Sequence, residues 1–322
     1  MITFVKLLNA ETGRVERVGN PAEISELLRQ PGRIVWLDVQ APTPQDLALL
    51  GEEFGFHQLP LEDCLKAHQR PKFERYGEYY FMVFYEVEKD PTVGMRMYEV
   101  AMFVGPAYVV TVHHAAVPLI HQVETRWEIQ PSAEEGASYL AYLMMDSAVD
   151  SYFPMIDHFS DRLEALEEAI FDRFDPKVVA RIFELKKQTL MMRRLVSPLR
   201  DVFLLLLRRE TTTLGQRTYI YYQDVLDHLL RISDAIDTYR DLVTSAVDAY
   251  MSQVSNRTNE VMKVLTVFST VLMTAALVAG IYGMNFKYIP ELDWPHGYAY
   301  SLALMVGLGL VQIALFKWRR YI

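Results

Sequence analysis

Asp227, Asp234, Asp241 and Asp248 stand seven residues apart in a stretch, Gln216 to Ala279, that holds neither glycine nor proline. On a helix that spacing returns each side chain to nearly the same face. Stacked carboxylates are hard oxygen groups of the kind that attract Mg²⁺ or Ca²⁺. They are equally ordinary as the solvated face of an amphipathic helix, and spacing alone leaves both readings open. A second polar group closes the apolar run that follows: Tyr282-Gly283-Met284-Asn285-Phe286, then Ile289-Pro290-Glu291-Leu292. The amide oxygen of Asn285 accepts hydrogen bonds from water. Mg²⁺ gives up its waters reluctantly, so a ring of such oxygens suits recognition of the hydrated ion. Carboxylates in the same place would hold a divalent ion more tightly and slow its release. Gly283 leaves room for backbone carbonyls to face the ion. Asn285 also reads as a left-handed helix C-cap, a common use of asparagine.

Other chemistry is poorly supplied. The eight histidines are scattered, and His113-His114 ends a β-rich run with no cysteine or carboxylate at ligand spacing. No phosphate-binding glycine loop or nucleophile constellation occurs, so no enzyme is predicted. The single cysteine, Cys64, excludes an internal disulfide and reads as a small buried hydrophobe. A net charge of −9 argues against nucleic acid as a partner.

The elements that must position these groups follow from periodicity. If Gln216 to Ala279 is one helix, its 64 residues extend about 95 Å. Tyr222, Val225, Leu229, Ile232, Ile236, Tyr239, Val243, Ala246 and Tyr250 alternate by three and four, a heptad seam that packs along another helix. Val264 to Phe286 and Gly297 to Phe316 are uncharged runs of 23 and 20 residues, each able to cross a hydrocarbon core of about 30 Å. Arg257 and Lys263 precede the first run, and Lys317, Arg319 and Arg320 follow the second. The connecting loop has only Lys287 against Glu291 and Asp293, which places both termini in the cytosol and the loop outside. Trp294, Tyr298, Tyr300 and Trp318 sit where interfacial aromatics belong. Met262, Leu265, Ser269, Met273, Ala276, Gly280 and Gly283 share one side of the first run. That stripe suits close helix packing or, around a symmetry axis, a pore with narrow apolar rings.

Residues 1–132 read as an α/β domain, with strands at Ile34–Val39, Tyr79–Val87, Tyr98–Val104 and Tyr108–His113. One helix starts after Thr43-Pro44 and another covers His57–His68. Residues 133–215 read as helical, broken or kinked at Pro176 and Pro198, with a turn at Thr211–Gly215. The start, MITFVKLLNAETGR, lacks the apolar core of a signal peptide, so the front is expected to stay where it is made. The remaining divisions are a long helix over 216–286 with its span at 264–286, an outer loop at 287–296, a second span at 297–316 and a basic tail at 317–322.

Gly283-Met284-Asn285, placed at the outer end of the first of two C-terminal spans, resembles the signature of the CorA family of magnesium channels. His68-Gln69-Arg70-Pro71-Lys72 and Asn256-Arg257-Thr258-Asn259-Glu260-Val261-Met262-Lys263 look like further family segments. The resemblance implies a funnel-shaped homopentamer in the cytoplasmic membrane, built from an α/β/α-type cytosolic domain, very long helices and two C-terminal transmembrane helices. It implies a selectivity filter at Gly283, Met284 and Asn285, and pore-facing Asn259, Met262, Leu265 and Met273, with Asp248 at the inner narrowing. In that setting the aspartate stripe becomes a cation path. It further implies gating by intracellular Mg²⁺ bridging carboxylates of neighbouring subunits, for which the matching candidates are Glu62, Asp63 and Asp224. Mg²⁺ is then both cargo and regulatory ligand, and Co²⁺ or Ni²⁺ is a further cargo. The chain departs from the family at Lys287, where an acid is frequent, and at Ile289, where methionine is usual; Glu291 and Asp293 offset the lysine. The alternatives are a zinc-transporting relative and, from another class, a membrane-anchored coiled-coil scaffold. A zinc path would favour His or Cys, and the first span has neither.

Overall fold

The structure is a computed structural model describing residues 1–18, 24–132, 134–172, 175–208, 216–285, 287–319 and 321. The turn expected at Thr211–Gly215 lies outside these residues, as do Phe286 and Arg320. The chain divides into one unit of Met1–Glu168 with Pro176–Ala246, and a second of Ala169–Asp175 with Val247–Ile322.

In the first unit, strands β1 (Ile2–Asn9), β2 (Arg14–Val18), β3 (Arg33–Gln40), β4 (Lys72–Tyr76), β5 (Tyr79–Asp90), β6 (Gly94–Val104) and β7 (Tyr108–His113) form one sheet. Its order is β2-β1-β3-β7-β6-β5-β4. Among the described strands only β3 and β7 pair in parallel, with Val35 opposite Tyr108 and Val39 opposite Val112. The four strands expected from the sequence are those with long apolar runs, buried almost throughout in β3, β5 and β7. The three unexpected ones are β1 and the partly exposed edge strands β2 and β4, whose RVERV and KFERY carry few apolar residues.

Between the strands lie α1 (Ile24–Leu28), α2 (Pro44–Phe54) and α3 (Gln58–Leu65). Thr43 caps α2 through a reciprocal capping box with Asp46, and Pro44 fills the first turn where no amide partner is needed. Helix α3 stops at Leu65, short of the expected His68. His68 takes φ = 72°. The amides of His68 and Gln69 both donate to Glu99 Oε2, at 2.5 and 3.0 Å, and Pro71 pushes Arg70 away from helical backbone.

Helices α4 (Pro118–Ile129), α5 (Ala137–Asp150), α6 (Phe153–Asp172) and α7 (Lys177–Arg208) follow. α5 is buried over most of its length and packs against β5, β6 and β7. Pro176 precedes α7, and Pro198 lies inside it, so of the expected break or kink at Pro198 the break does not occur. Proline removes one amide from the ladder. Buried Val196, Leu199, Val202 and Phe203 on either side hold the helix through that defect.

Helix α8 (Tyr219–Tyr282) has 64 residues, starting after a 3₁₀ turn at Gln216–Thr218 and running through Gly280. Its seam is buried at Tyr222, Val225, Leu229, Ile232, Ile236, Val243 and Ala246, with Tyr239 half-buried against Phe159. In the second unit, the distal part of α8 and α9 (Gly297–Trp318) are long and apolar enough to cross a membrane.

The core of the first unit contains a polar chain across the parallel pair. Trp36 Nε1 donates to Thr111 Oγ1 (3.1 Å), which bonds Asp38 Oδ1 (2.5 Å). Asp38 in turn faces His113 Nε2 at 3.1 Å, while His113 Nδ1 lies 2.6 Å from the Ala115 carbonyl. Burial alone would lower the His113 pKa, but the Asp38 carboxylate and the Ala115 carbonyl outweigh it and raise the value above 6.5. A raised folded-state pKa means stability that is fully present below about 6.5 and lost as pH climbs through the higher folded value. Thermal melts of the detergent-solubilised chain should therefore show a midpoint falling with pH above 6.5. Asp38→Asn should lower the midpoint and flatten that slope; an unchanged slope would exclude this pair as its source.

Candidate cation path and metal-binding clusters

The proposed outer mouth begins where α8 ends. Gly283 N–H bonds the Ala279 carbonyl at 2.9 Å, closing the last turn, and Met284 N–H reaches Ile281 O at 3.3 Å. A β-carbon on Gly283 would stand 3.1 Å from the Ala279 carbonyl oxygen, so glycine keeps that turn open. Asn285 is exposed and makes no side-chain hydrogen bond among the described residues. Its backbone is not left-handed: among described non-glycine residues, only Ala41 and His68 have positive φ. The C-cap reading of Asn285 therefore does not hold, and its amide is available to solvent. Lys287, Glu291 and Asp293 surround the same short loop, with Glu291 and Asp293 in a 3₁₀ turn at Pro290–Asp293.

Below the mouth, Asn259, Met262, Leu265, Ser269 and Met273 are exposed on α8, Met273 to 71%. Leu265, Ser269 and Met273 line one shallow groove together with Thr266, Thr270, Thr274 and Leu277. Large apolar side chains left open to this degree need lipid or protein against them. Farther back, Asp227, Asp234, Asp241 and Asp248 are all exposed. Asp241 is held by Arg240 at 2.9 Å, which removes it from the free carboxylates of the stripe.

The regulatory candidates separate into two places. Glu62 and Asp63 lie on α3; Asp63 is 2.6 Å from Lys72 Nζ, which also reaches Glu74 at 3.2 Å. Burial alone would lower the Lys72 pKa, but these two carboxylates raise it, so the ammonium stays charged. Glu62 stands 4.0 Å from Lys66, an exposed pair of little consequence. Asp224 is exposed on α8. Among the described residues no contact joins it to Glu62 or Asp63.

Instead, α8 brings a different group together that the sequence did not reveal. Asp146 and Asp150 on α5 and His228 on α8 offer ligand atoms within 4.8 Å of one another. Arg126 already occupies one Asp146 oxygen at 2.7 Å, and His228 Nδ1 is 3.7 Å from Asp150. Burial and the neighbouring Asp146 raise the Asp150 pKa, and Asp224 adds to that repulsion. The available signals were local: Asp146 and Asp150 are four apart on one helix, as are Asp224 and His228 on another. Nothing in the sequence says that those two helix faces meet.

Comparison with known proteins agrees with this architecture. The family model described as CorA-like Mg²⁺ transporter protein matches residues 31–320. The cobalt/magnesium transport protein CorA of Thermotoga maritima is 34% identical over 291 residues, covering 89% of this chain and 83% of the relative. The protein of the same name from Methanocaldococcus jannaschii is 25% identical over 300 residues, covering 92% of this chain and 93% of its own. A solved structure of the M. jannaschii CorA magnesium transporter superposes with a TM-score of 0.83 at 23% identity, over 98% of both chains. At that identity the superposition carries the fold: α/β domain, long helix and two C-terminal apolar helices. The match across nearly the whole chain settles the family, and this protein belongs to the CorA-like Mg²⁺ transporters.

Proposed function

We propose that the chain is a homopentameric channel of the cytoplasmic membrane, with both termini cytosolic, that admits hydrated Mg²⁺ and also Co²⁺. The observation that carries this reading is Asn285, an exposed amide without a side-chain hydrogen bond among the described residues, just beyond the turn that closes the charge-free run starting at Val264 of α8. One such amide from each protomer would set a ring of acceptors around the waters of the ion, with no carboxylate to hold it too long. Leu265 and Met273 beneath it are apolar rings able to exclude water when the pore narrows. The names of the relatives, cobalt/magnesium transport proteins, support the choice of ions. The test is uptake by vesicles carrying the full chain, offered Mg²⁺, Co²⁺ and Zn²⁺ in turn. Mg²⁺ and Co²⁺ entry above Zn²⁺ is expected; Zn²⁺ as the fastest ion would move the assignment to a zinc transporter.

We further propose gating by cytosolic Mg²⁺ held between subunits by Glu62, Asp63 and Asp224. Oxygen ligands from separate chains suit this ion, and within one chain Glu62 and Asp63 lie side by side on α3 while Asp224 is on α8. Asp63 must exchange its Lys72 partner for the metal, which keeps the site weak enough to empty when Mg²⁺ falls. Mg²⁺ should then slow proteolysis of the detergent-solubilised chain, and Asp224→Ala should shift that protection to higher Mg²⁺. Identical cleavage with and without Mg²⁺ would remove the sensor.

A further inference from the structure

Gln312 is the one amide side chain in α9, and it lies within the uncharged run Gly297 to Phe316. Its Nε2 donates to Thr274 Oγ1 of α8 at 2.6 Å. The Thr274 hydroxyl hydrogen is itself directed to the Thr270 carbonyl at 3.0 Å, so Thr274 serves Gln312 as an acceptor. Gln312 Oε1 is buried and has no hydrogen-bond partner among the described residues. One turn earlier Gly309 is buried, and Val271 Cγ1 stands 3.4 Å from where its β-carbon would be. Val278 is buried one turn beyond Thr274.

Val271, Thr274 and Val278 thus form the face of α8 that holds α9. At about 100° per residue, the centre of this face is roughly 170° around the helix from that of Leu265, Ser269 and Met273, and Thr274 lies at its edge, where it also borders their groove. Apolar surface gives no drive for two helices to associate within lipid; close packing at small residues and interhelical hydrogen bonds do. Val271 against Gly309 supplies the first, and Gln312 to Thr274 supplies the second and the direction.

We propose that the Gln312–Thr274 hydrogen bond is a positioning contact that sets the rotation of the pore-lining span, keeping the Leu265–Met273 stripe turned to the cation path. This rests on the reading of α8 as pore-lining. Gln312 and Thr274 touch no ion; they act through α8.

The contact predicts an unusual order of variants. Thr274→Val removes the acceptor and leaves the whole amide unpaired in an apolar layer. Gln312→Leu removes the amide and leaves the Thr274 hydroxyl on its own helix. Removing one partner of a buried pair costs more than replacing both by apolar groups. Maximal Mg²⁺ flux per inserted protein should fall about tenfold in Thr274→Val and only about two- to threefold in Gln312→Leu. The double variant Thr274→Val/Gln312→Leu should conduct better than Thr274→Val alone, and Thr274→Ser should conduct like the unaltered chain. The half-saturating Mg²⁺ concentration should stay unchanged throughout, because the mouth at Asn285 is intact.

A double variant as poor as the product of the singles would overturn the contact, as would Thr274→Ser matching Thr274→Val. An unaltered chain that conducts alongside a fully active Thr274→Val overturns the positioning role alone. An unaltered chain that carries no Mg²⁺ overturns the transport reading, and this inference with it.

Discussion

Asn285→Ala should slow Mg²⁺ uptake into vesicles by more than about tenfold while leaving the amount of inserted protein unchanged. Each amide oxygen that accepts a hydrogen bond from a bound water contributes about 0.5–1.5 kcal/mol net. Several protomers lose that bond together, and about 1.4 kcal/mol already corresponds to a factor of ten. Alanine cannot replace the acceptor, and because the Asn285 side chain makes no hydrogen bond among the described residues, its loss should not unfold the helix end. Asn285→Asp separates the amide from a bare polar requirement. A carboxylate ring should lower the half-saturating Mg²⁺ concentration and also lower maximal flux, because the ion leaves more slowly. Wild-type uptake by Asn285→Ala would show that ion recognition lies elsewhere.

Trp36→Ala should destabilise the first unit by about 3–5 kcal/mol, near the top of the range for single core truncations. Trp36 is fully buried, with its ring edge-on to Phe4 at 4.9 Å and to Trp127 at 5.8 Å. Truncation opens a cavity between β1, β3 and α4 and takes the Trp36 Nε1 donor from Thr111. Trp36→Phe keeps most of the ring and should cost markedly less. The check is the chemical denaturation midpoint of the detergent-solubilised chain; equal loss in both variants would mean that packing against Phe4 and Trp127 is not the main term.

The parts of this molecule legible in its sequence are those that depend on neighbours along the chain. Helix α8 reads clearly because no residue from Gln216 to Ala279 interrupts it and its apolar positions step by three and four. Strands β3, β5, β6 and β7 read clearly because YYFMVFYEV and its like are buried runs with β-branched and aromatic residues. Strand β1 is less legible because Lys6 interrupts its apolar run, and that lysine is buried only through its pairing with Glu124 and Glu128 on α4. Edge strands β2 and β4 are not legible because none of their residues is fully buried, and their order comes from ladder partners such as Val5 for Val18 and Val83 for Lys72. Whether Pro198 breaks its helix is hidden for a related reason: local chemistry disfavours it within a helix, and tertiary packing overrides that preference.

The candidate site divides the same way. The Gly283-Met284-Asn285 end and the exposed stripe beneath it are consecutive or periodic, so sequence alone locates them. Partners far apart in sequence are invisible: Asp38 and His113 are separated by 75 residues, and His228 meets Asp150 only after α5 and α8 pack. The Lys72 tether on Asp63 is likewise hidden, although the two are close in sequence, because it depends on how the turn through His68, with φ = 72°, brings the start of β4 back beside α3.

The most direct measurement is entry of Mg²⁺ into vesicles that carry the intact chain and begin with no Mg²⁺ inside, read against protein-free vesicles under the same inward gradient. The channel account predicts rapid entry that slows as the lumen fills and its Mg²⁺ reaches the carboxylates of the cytosolic unit. Entry no faster than into protein-free vesicles would contradict it.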